Sequence, residues 1–189
     1  MRSNFPSTAS ETKALALRLV QHLRQELKDT YNRKEWTARN LDALRSFSNH
    51  EYVLTHFPSE GSYKKGEFLY DYIAYQQDTG ILIAAESEWN QKLHELQKDF
   101  DKLLYVRSPI KVFLFWLRKD EAAIENAFSE LTKCMTWCSE YSPGEVYVLY
   151  CRTYTNGDGS NGDHVRWLQI EGEPSHCSLN GKIFEDVPS

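Results

Sequence analysis

Three carboxylates lie near one another in a stretch of sequence that is otherwise mostly apolar. Asp71 comes early in the segment, and Glu86 and Glu88 end it two residues apart. Ionised carboxylates are costly to remove from water, so they need a cation, a proton or a hydrogen-bonding partner when apolar residues surround them. Their oxygen atoms suit a hard divalent cation such as Mg²⁺. The sequence therefore predicts a candidate site for Mg²⁺ or Mn²⁺.

The residues between these carboxylates predict a β-hairpin that would bring them together. Residues 66–89 form two strand-like segments joined by a turn at 78–80. If the turn is centred on its first two residues, Asp71 faces Glu86 with Cβ atoms about 5 Å apart. Glu88 projects from the same face as Glu86, because side chains alternate along a strand. A bulge at the turn glycine would shift this register by one residue.

Carboxylates this close repel one another, so at least one of them should have a raised pKa when no cation is bound. One or two divalent ions could bind a phosphodiester, supply hydroxide and stabilise the leaving oxygen. The trio therefore suits metal-dependent hydrolysis of phosphodiester bonds. The alternative that stays open is a solvated sheet edge at which the carboxylates carry out no chemistry.

The wider pattern predicts an α/β fold, with a mixed central β-sheet flanked by helices, in the order ααβββαβαββ. Apolar residues at helical spacing predict helices at 11–29 and 36–47, a third capped by Asn90 and ending before Pro109, and a fourth capped by Asp120 and ending before Pro143. Besides the hairpin, strands are predicted at 51–57, 111–117, 145–154 and 164–171. The stretch 111–117 is almost continuously apolar, which indicates a central strand covered on both faces.

Length, charge and hydropathy limit the number of domains and the kinds of partner that we expect for this chain. The 189 residues predict a single domain at 11–189 after a flexible leader at 1–10. The net charge of −5 argues against a protein that simply coats nucleic acid, but catalytic carboxylates lower this count in a nuclease too. No apolar stretch approaches the ~20 residues that span a bilayer, and no signal-peptide core is present. We therefore expect no membrane partner and a cytoplasmic location.

Other motifs point to no competing site. The four cysteines match no zinc ribbon or redox motif, and Cys134 and Cys138 are expected to be buried packing residues. The loop at 155–163 begins like a calcium-binding loop but lacks the glycine and glutamate that an EF-hand needs. The chain contains no P-loop, dinucleotide-binding or serine-hydrolase motif. Asp71, Glu86 and Glu88 are thus the strongest candidates for chemistry.

The order of elements and carboxylates resembles the PD-(D/E)XK, or restriction endonuclease-like, superfamily of nucleases. The core of that family is a helix, a three-stranded meander, a helix and a further strand, and the resemblance covers about residues 11–118. The family places an aspartate on one strand and (Asp/Glu)-x-Lys on the next, which Asp71 and Glu86 match. Glu88 stands where the family usually has lysine, although some restriction enzymes of the family carry Glu-x-Glu there.

This resemblance implies a role for each carboxylate. Asp71 and Glu86 would bind Mg²⁺ or Mn²⁺, and Glu88 would bind a second metal ion or orient the attacking water. The substrate implied is nucleic acid, DNA in the first place, and enzymes of this type commonly work as dimers, so a homodimer is a candidate state.

In several members of the family the motif lysine comes from the helix after the second strand. Three lysines follow Glu88 here, and the segment from Lys98 to Leu104 resembles one common in such proteins. Lys102 is the first candidate, ahead of Lys98 and Lys92, and the alternative is that all three are ordinary exposed lysines. The family also often uses a glutamate from the first helix, for which Glu26 is the candidate by position.

Two further functions stay open. A catalytically inactive member of the same fold would serve as a protein-interaction or regulatory module, which the acidic net charge and the missing motif lysine favour. A small-ligand protein with an acidic binding site is the third possibility. Metal binding that depends on Glu86 separates the first function from the other two.

Overall fold

The computed structural model describes residues 5–28, 33–51, 54–57, 69–118, 120–137, 141–154, 161–170 and 185–186. Its helices are α1 (Ala9–Glu26), α2 (Arg33–Glu51), α3 (Leu93–Leu104) and α4 (Glu121–Trp137). Its strands are β1 (Thr55–Phe57), β2 (Tyr72–Gln76), β3 (Gly80–Glu88), β4 (Ile110–Arg118), β5 (Val146–Tyr154), β6 (Asn161–Gln169) and β7 (Glu185–Asp186). The predicted order is confirmed, with β7 added at its end. None of the helices in these ranges is long and apolar enough to cross a membrane.

The sheet is mixed, and its seven described strands lie side by side in chain order. β1, β2 and β3 form an antiparallel meander, β4 runs parallel to both β3 and β5, and β6 and β7 are antiparallel again. Parallel neighbours need a crossover connection, which α3 and α4 supply. β4 is therefore the central parallel strand, and its side chains are buried from Ile110 to Phe115. This confirms the prediction made for residues 111–117.

Alternating residues of β4 belong to two hydrophobic cores, one on each face of the sheet. Ile110, Val112 and Leu114 pack with α1 and α2, whereas Phe113 and Phe115 pack with α3 and α4. Two successive right-handed crossovers that proceed in the same direction across a sheet place both helices on one face. The opposite face is then left for α1 and α2, which cover it.

Some element boundaries differ from the sequence prediction because local hydrogen bonds set them. α1 begins at Ala9, since Thr8 and Glu11 form a reciprocal capping box there. Asn90 does not cap α3: the N-cap position is Lys92, whose backbone N–H donates to Asn90 Oδ1 at 3.2 Å. Of the strand predicted at 51–57, the last three residues form β1 and the first belongs to α2, while residues 52–53 lie outside the described part of the chain.

Of the two cysteines predicted to be buried packing residues, Cys134 is described, and its burial is confirmed. Cys134 and Cys151 are buried and carry free thiols. Cys138 and Cys177 lie outside the described residues, as does most of the predicted loop, residues 155–160.

Candidate active site

The β2–β3 hairpin brings Asp71 beside Glu86 through two irregularities that cancel. Gln76 pairs with Gly80, so the turn contains three residues instead of the predicted two, and the register near the turn is displaced by one. Gly80 has a φ of +95°, a conformation that glycine adopts without strain. A bulge after Ala74 displaces the register back. The strands therefore pair as predicted towards the end at which the carboxylates lie.

Asp71 itself lies just before β2 rather than within it, and continues the register to the position opposite Glu86. Its Oδ2 accepts a hydrogen bond from the backbone N–H of Ser87 at 2.9 Å. The Ser87 side chain accepts a second bond, from Nδ2 of the fully buried Asn40 in α2, at 2.8 Å. These bonds tie the end of β3 to α2 and hold the Asp71 carboxylate near Glu86.

Glu86 and Glu88 both lie on the face of β3 that α3 covers, as strand alternation predicts. Glu86 is only 1% exposed, and its Oε1 has no hydrogen-bond partner within the described part of the chain. Glu88 is less buried, and its Oε1 accepts a short hydrogen bond from the backbone N–H of Asn90. The sheet thus holds a buried oxygen at Glu86 that is able to accept a ligand.

Two side chains of α3 complete this group. The Nζ atom of Lys102 lies 3.2 Å from Glu86 Oε2 and 2.8 Å from Asp99 Oδ1. Asp99 in turn shares a hydrogen bond with Glu88. A spacing of three residues places Asp99 and Lys102 on the same helix face. The carboxylate cluster, as we call it, consists of Asp71, Glu86, Glu88, Asp99 and Lys102.

Burial raises the pKa of the glutamates in this cluster, and the crowding of carboxylates that their spacing predicts adds to this rise. Burial, and then the negative charge of Asp71, raise the pKa of Glu86 to about 8, although the Lys102 ammonium opposes this rise. Burial and the shared hydrogen bond with Asp99 raise the pKa of Glu88 to about 7. Burial also raises the pKa of Asp71, against the opposing effects of the Ser87 N–H and Lys102. Burial therefore favours the protonated forms of the two glutamates, and a bound cation would displace these protons.

The pKa shifts of the two α3 residues, Asp99 and Lys102, both favour the charged form. Burial acts to raise the pKa of Asp99, but hydrogen bonds with Glu88 and Lys102 outweigh it, so the pKa is lowered overall. Burial acts to lower the pKa of Lys102, but Asp99 and Glu86 outweigh it, so the pKa is raised. The cluster therefore contains a fixed ion pair on α3 beside two carboxyl groups that exchange protons.

The structure brings Asp71, Glu86, Glu88 and Lys102 together and leaves the other predicted residues apart. Lys98 lies one turn closer to the start of α3, where its side chain is 73% exposed and its Nζ is 3.9 Å from Glu95 Oε2. Lys92 is exposed just before that helix, and Glu26 is exposed at the end of α1, on the opposite face of the sheet.

Asp99 was missed by the sequence reasoning, although it lies between the two lysines considered. The signal that could have identified it is its position three residues before Lys102, which puts both side chains on one helix face. An acidic residue at this spacing is a natural partner for the predicted lysine.

A second buried ion pair was also missed. Lys111 of β4 is 1% exposed, and its Nζ lies 2.9 Å from Glu145 Oε2 and 2.6 Å from the hydroxyl of Tyr147. Lys111 is the lateral neighbour of Ala84 on β3 and of Tyr147 on β5, so this pair lies on the same sheet face as Glu86. The apolar residues that follow Lys111 concealed its burial.

The oxygen donors of the carboxylate cluster fit a hard divalent cation in their chemistry, and the unpartnered Oε1 of Glu86 is a free acceptor. As the side chains stand, no three His, Cys, Asp or Glu residues in the described part of the chain are placed to hold a metal ion together. Lys102 occupies the other oxygen of Glu86. Metal binding would therefore require side chains to shift.

Comparisons with known proteins identify no relative, so the function is inferred from the geometry of this site. No family model, no curated protein and no solved structure matches the chain.

Proposed function

We propose that this protein is a metal-dependent nuclease of the PD-(D/E)XK type, which hydrolyses phosphodiester bonds in nucleic acid, DNA in the first place. The observation that carries the proposal is the convergence of Asp71, Glu86, Glu88 and Lys102, in which the buried Oε1 of Glu86 has no hydrogen-bond partner among the described residues. The helix, three-stranded meander, helix and strand expected of that family occur here in the expected order, which supports it. A homodimer is part of the proposal by the same resemblance.

Each residue of the cluster has a role in this proposal. Asp71 and Glu86 hold Mg²⁺ or Mn²⁺, which when bound activates water and neutralises charge on the phosphate. Glu88 follows Glu86 on the same strand face and orients the attacking water. Lys102 presents its ammonium to the negative charge that develops on the phosphate oxygens. Lys102 thus takes the place of the lysine that Glu88 replaces in the motif.

A non-catalytic interaction module of the same fold is the second candidate. It is favoured by the ammonium of Lys102, which already neutralises Glu86, and by the absence of three described side chains placed to hold a metal. The net charge of −5 also weighs against a nucleic-acid partner. In this alternative the cluster is a buried polar network, and the protein recognises another protein.

Calorimetric titration with Mn²⁺ tests the nuclease proposal. We expect binding to the wild type that is lost in Glu86→Gln and kept in Glu95→Gln, a control on α3 whose side chain pairs with Lys98 outside the cluster. No heat of binding at millimolar Mn²⁺ would overturn the proposal. Incubation with plasmid DNA and Mn²⁺ then separates the two candidates, because an interaction module would leave the DNA intact even if it binds the ion.

A further inference from the structure

Lys102 has two carboxylate partners that differ in their access to solvent. Glu86 Oε2 is 3.2 Å from its Nζ and belongs to a residue that is 1% exposed, whereas Asp99 Oδ1 is 2.8 Å away on a side chain that is 16% exposed. Asp99 also lies on the same helix as Lys102, so the two remain together if α3 shifts against β3. The ammonium is therefore shared between a buried carboxylate on the sheet and a more accessible one on its own helix.

The two oxygens of Glu86 are occupied differently. Oε2 accepts from Lys102, while Oε1 is buried and has no hydrogen-bond partner among the described residues. A cation could thus approach Glu86 through Oε1 while Lys102 still contacts Oε2. Once a divalent charge lies beside the carboxylate, repulsion between like charges a few ångströms apart drives the ammonium away.

We propose that Asp99 is a positioning residue: when a divalent cation binds Glu86, the Lys102 ammonium moves to Asp99. Lys102 is then a displaceable counter-ion of the metal centre. This inference rests on the proposed function, since it assumes that Glu86 binds a metal. With Asp99 present, the ammonium gives up Glu86 and keeps an ion pair. Without Asp99, the ammonium either stays on Glu86 and repels the cation or loses its last carboxylate partner in the cluster. Asp99 therefore lowers the free energy of metal binding by its action on Lys102.

A double-mutant cycle distinguishes this role from that of a direct metal ligand. Mn²⁺ dissociation constants are measured by calorimetry for the wild type, Asp99→Asn, Lys102→Met and the double variant. We expect Asp99→Asn to weaken binding about tenfold when Lys102 is present and less than about threefold in the Lys102→Met background, a coupling typical of contacting residues. Lys102→Met alone should tighten binding, since it removes the competing cation.

Two further variants control for charge and for folding. Asp101→Asn removes the same charge from the same helix, but Asp101 interacts with Cys134 instead of Lys102, so we expect less than about a threefold change in either background. Asp99→Glu keeps a carboxylate at the position and should recover most of the affinity lost in Asp99→Asn. Equal losses for Asp99→Asn in both backgrounds would overturn the inference and make Asp99 a ligand.

A metal-free measurement separates this inference from the proposed function. The ¹H–¹⁵N resonance of the Lys102 ammonium reports whether Asp99 holds it: we expect a signal protected from solvent exchange that is lost in Asp99→Asn and kept in Asp101→Asn. A signal unchanged in Asp99→Asn overturns the positioning role, whatever the metal affinity. A signal lost as expected, combined with no Mn²⁺ binding by any variant, overturns the proposed function and with it the release of Lys102 to Asp99.

Discussion

Two lysine–glutamate pairs lie on the same face of the sheet, and they differ in how well their charges are matched. Lys111 meets Glu145 at 2.9 Å, and the Tyr147 hydroxyl adds a further polar contact to the ammonium. Lys102 meets Glu86 at 3.2 Å, but the same ammonium also contacts Asp99, and Asp71 and Glu88 lie nearby. Among the described residues, one centre pairs one ammonium with one carboxylate, and the other has more carboxyl groups than its ammonium can neutralise.

This difference indicates which buried charged groups are candidates for function. A buried ion pair is by itself weak evidence of any role, since the cost of desolvation can equal or exceed its Coulombic gain. A pair such as Lys111–Glu145 leaves no net charge to attract another ion. Surplus carboxyl groups, together with Glu86 Oε1, which has no hydrogen-bond partner among the described residues, leave the cluster with negative charge or with protons that a bound cation would displace. Charge imbalance, and not burial alone, therefore marks the carboxylate cluster as the candidate centre.

The largest effect that this comparison predicts is the loss of stability on replacing Lys111. Lys111→Met leaves Glu145 buried without its ammonium, so we expect the free energy of unfolding to fall by about 3–5 kcal/mol. Urea denaturation monitored by tryptophan fluorescence measures this change. The double variant Lys111→Met, Glu145→Leu removes both charges and should recover much of the loss. A single-variant loss below about 1 kcal/mol would show that the pair is not a buried structural contact.

The next effect depends on pH and concerns Glu86. Its pKa is raised to about 8 in the folded protein, above the ordinary value of 4.5, so folding favours its protonated form. That contribution to stability is complete below pH 4.5 and is lost as the pH rises through 8. Glu86→Gln mimics the protonated acid at every pH. Its stability relative to the wild type should therefore increase between pH 5 and pH 9, by about 2–4 kcal/mol.

Urea denaturation at pH 5, 7 and 9 measures this trend for the wild type and for Glu86→Gln. Only the difference between the two proteins is informative, because the groups outside the cluster titrate equally in both. A difference that stays constant over this range would mean that Glu86 remains ionised in the folded protein, and that the cluster is as well balanced as the Lys111 pair.

A smaller effect is expected for the same substitution at the other lysine. Lys102 is 31% exposed, the glutamates beside it can take up protons, and Asp99 is partly exposed, so Lys102→Met leaves no charge that is both fully buried and unpaired. We expect a loss of at most about 1 kcal/mol at pH 7, typical of a partly solvated pair. Denaturation in parallel with Lys111→Met compares the two centres directly. Equal losses in the two variants would remove the distinction between them.

The sequence was sufficient for those parts of the fold that depend on local periodicity. Alternating and helical patterns predicted the order of elements, the central position of residues 111–117 and the shared face of Glu86 and Glu88. The register at Asp71 was also correct, but a bulge near Ala74 was needed to cancel the longer turn. The hydrophobic pattern alone does not reveal two irregularities that cancel, because together they leave the register at the end of the hairpin unchanged.

The parts of the site that escaped prediction depend on packing between elements that are distant in the chain. Lys111 and Glu145 are 34 residues apart and meet only because β4 and β5 are parallel neighbours. Asp99 gains its importance from the placement of α3 over β3, which helical periodicity within α3 does not specify. Tertiary contacts of this kind decide which polar side chains become buried partners.

The smallest effect is expected for Lys98, one helical turn from Lys102. It acts on Asp99 only through its charge, and its 73% exposed side chain is 3.9 Å from Glu95, so Lys98→Met should change stability by less than about 0.5 kcal/mol. Its Mn²⁺ affinity should remain within about twofold of the wild type, since solvent and salt screen an exposed charge. Denaturation and calorimetry beside Lys102→Met measure both values. If Lys98→Met altered the affinity as strongly as Lys102→Met, a second ammonium would belong to the cluster. The charges of the cluster would then be more nearly balanced, as those of Lys111 and Glu145 are, and the contrast that singles out this centre would weaken.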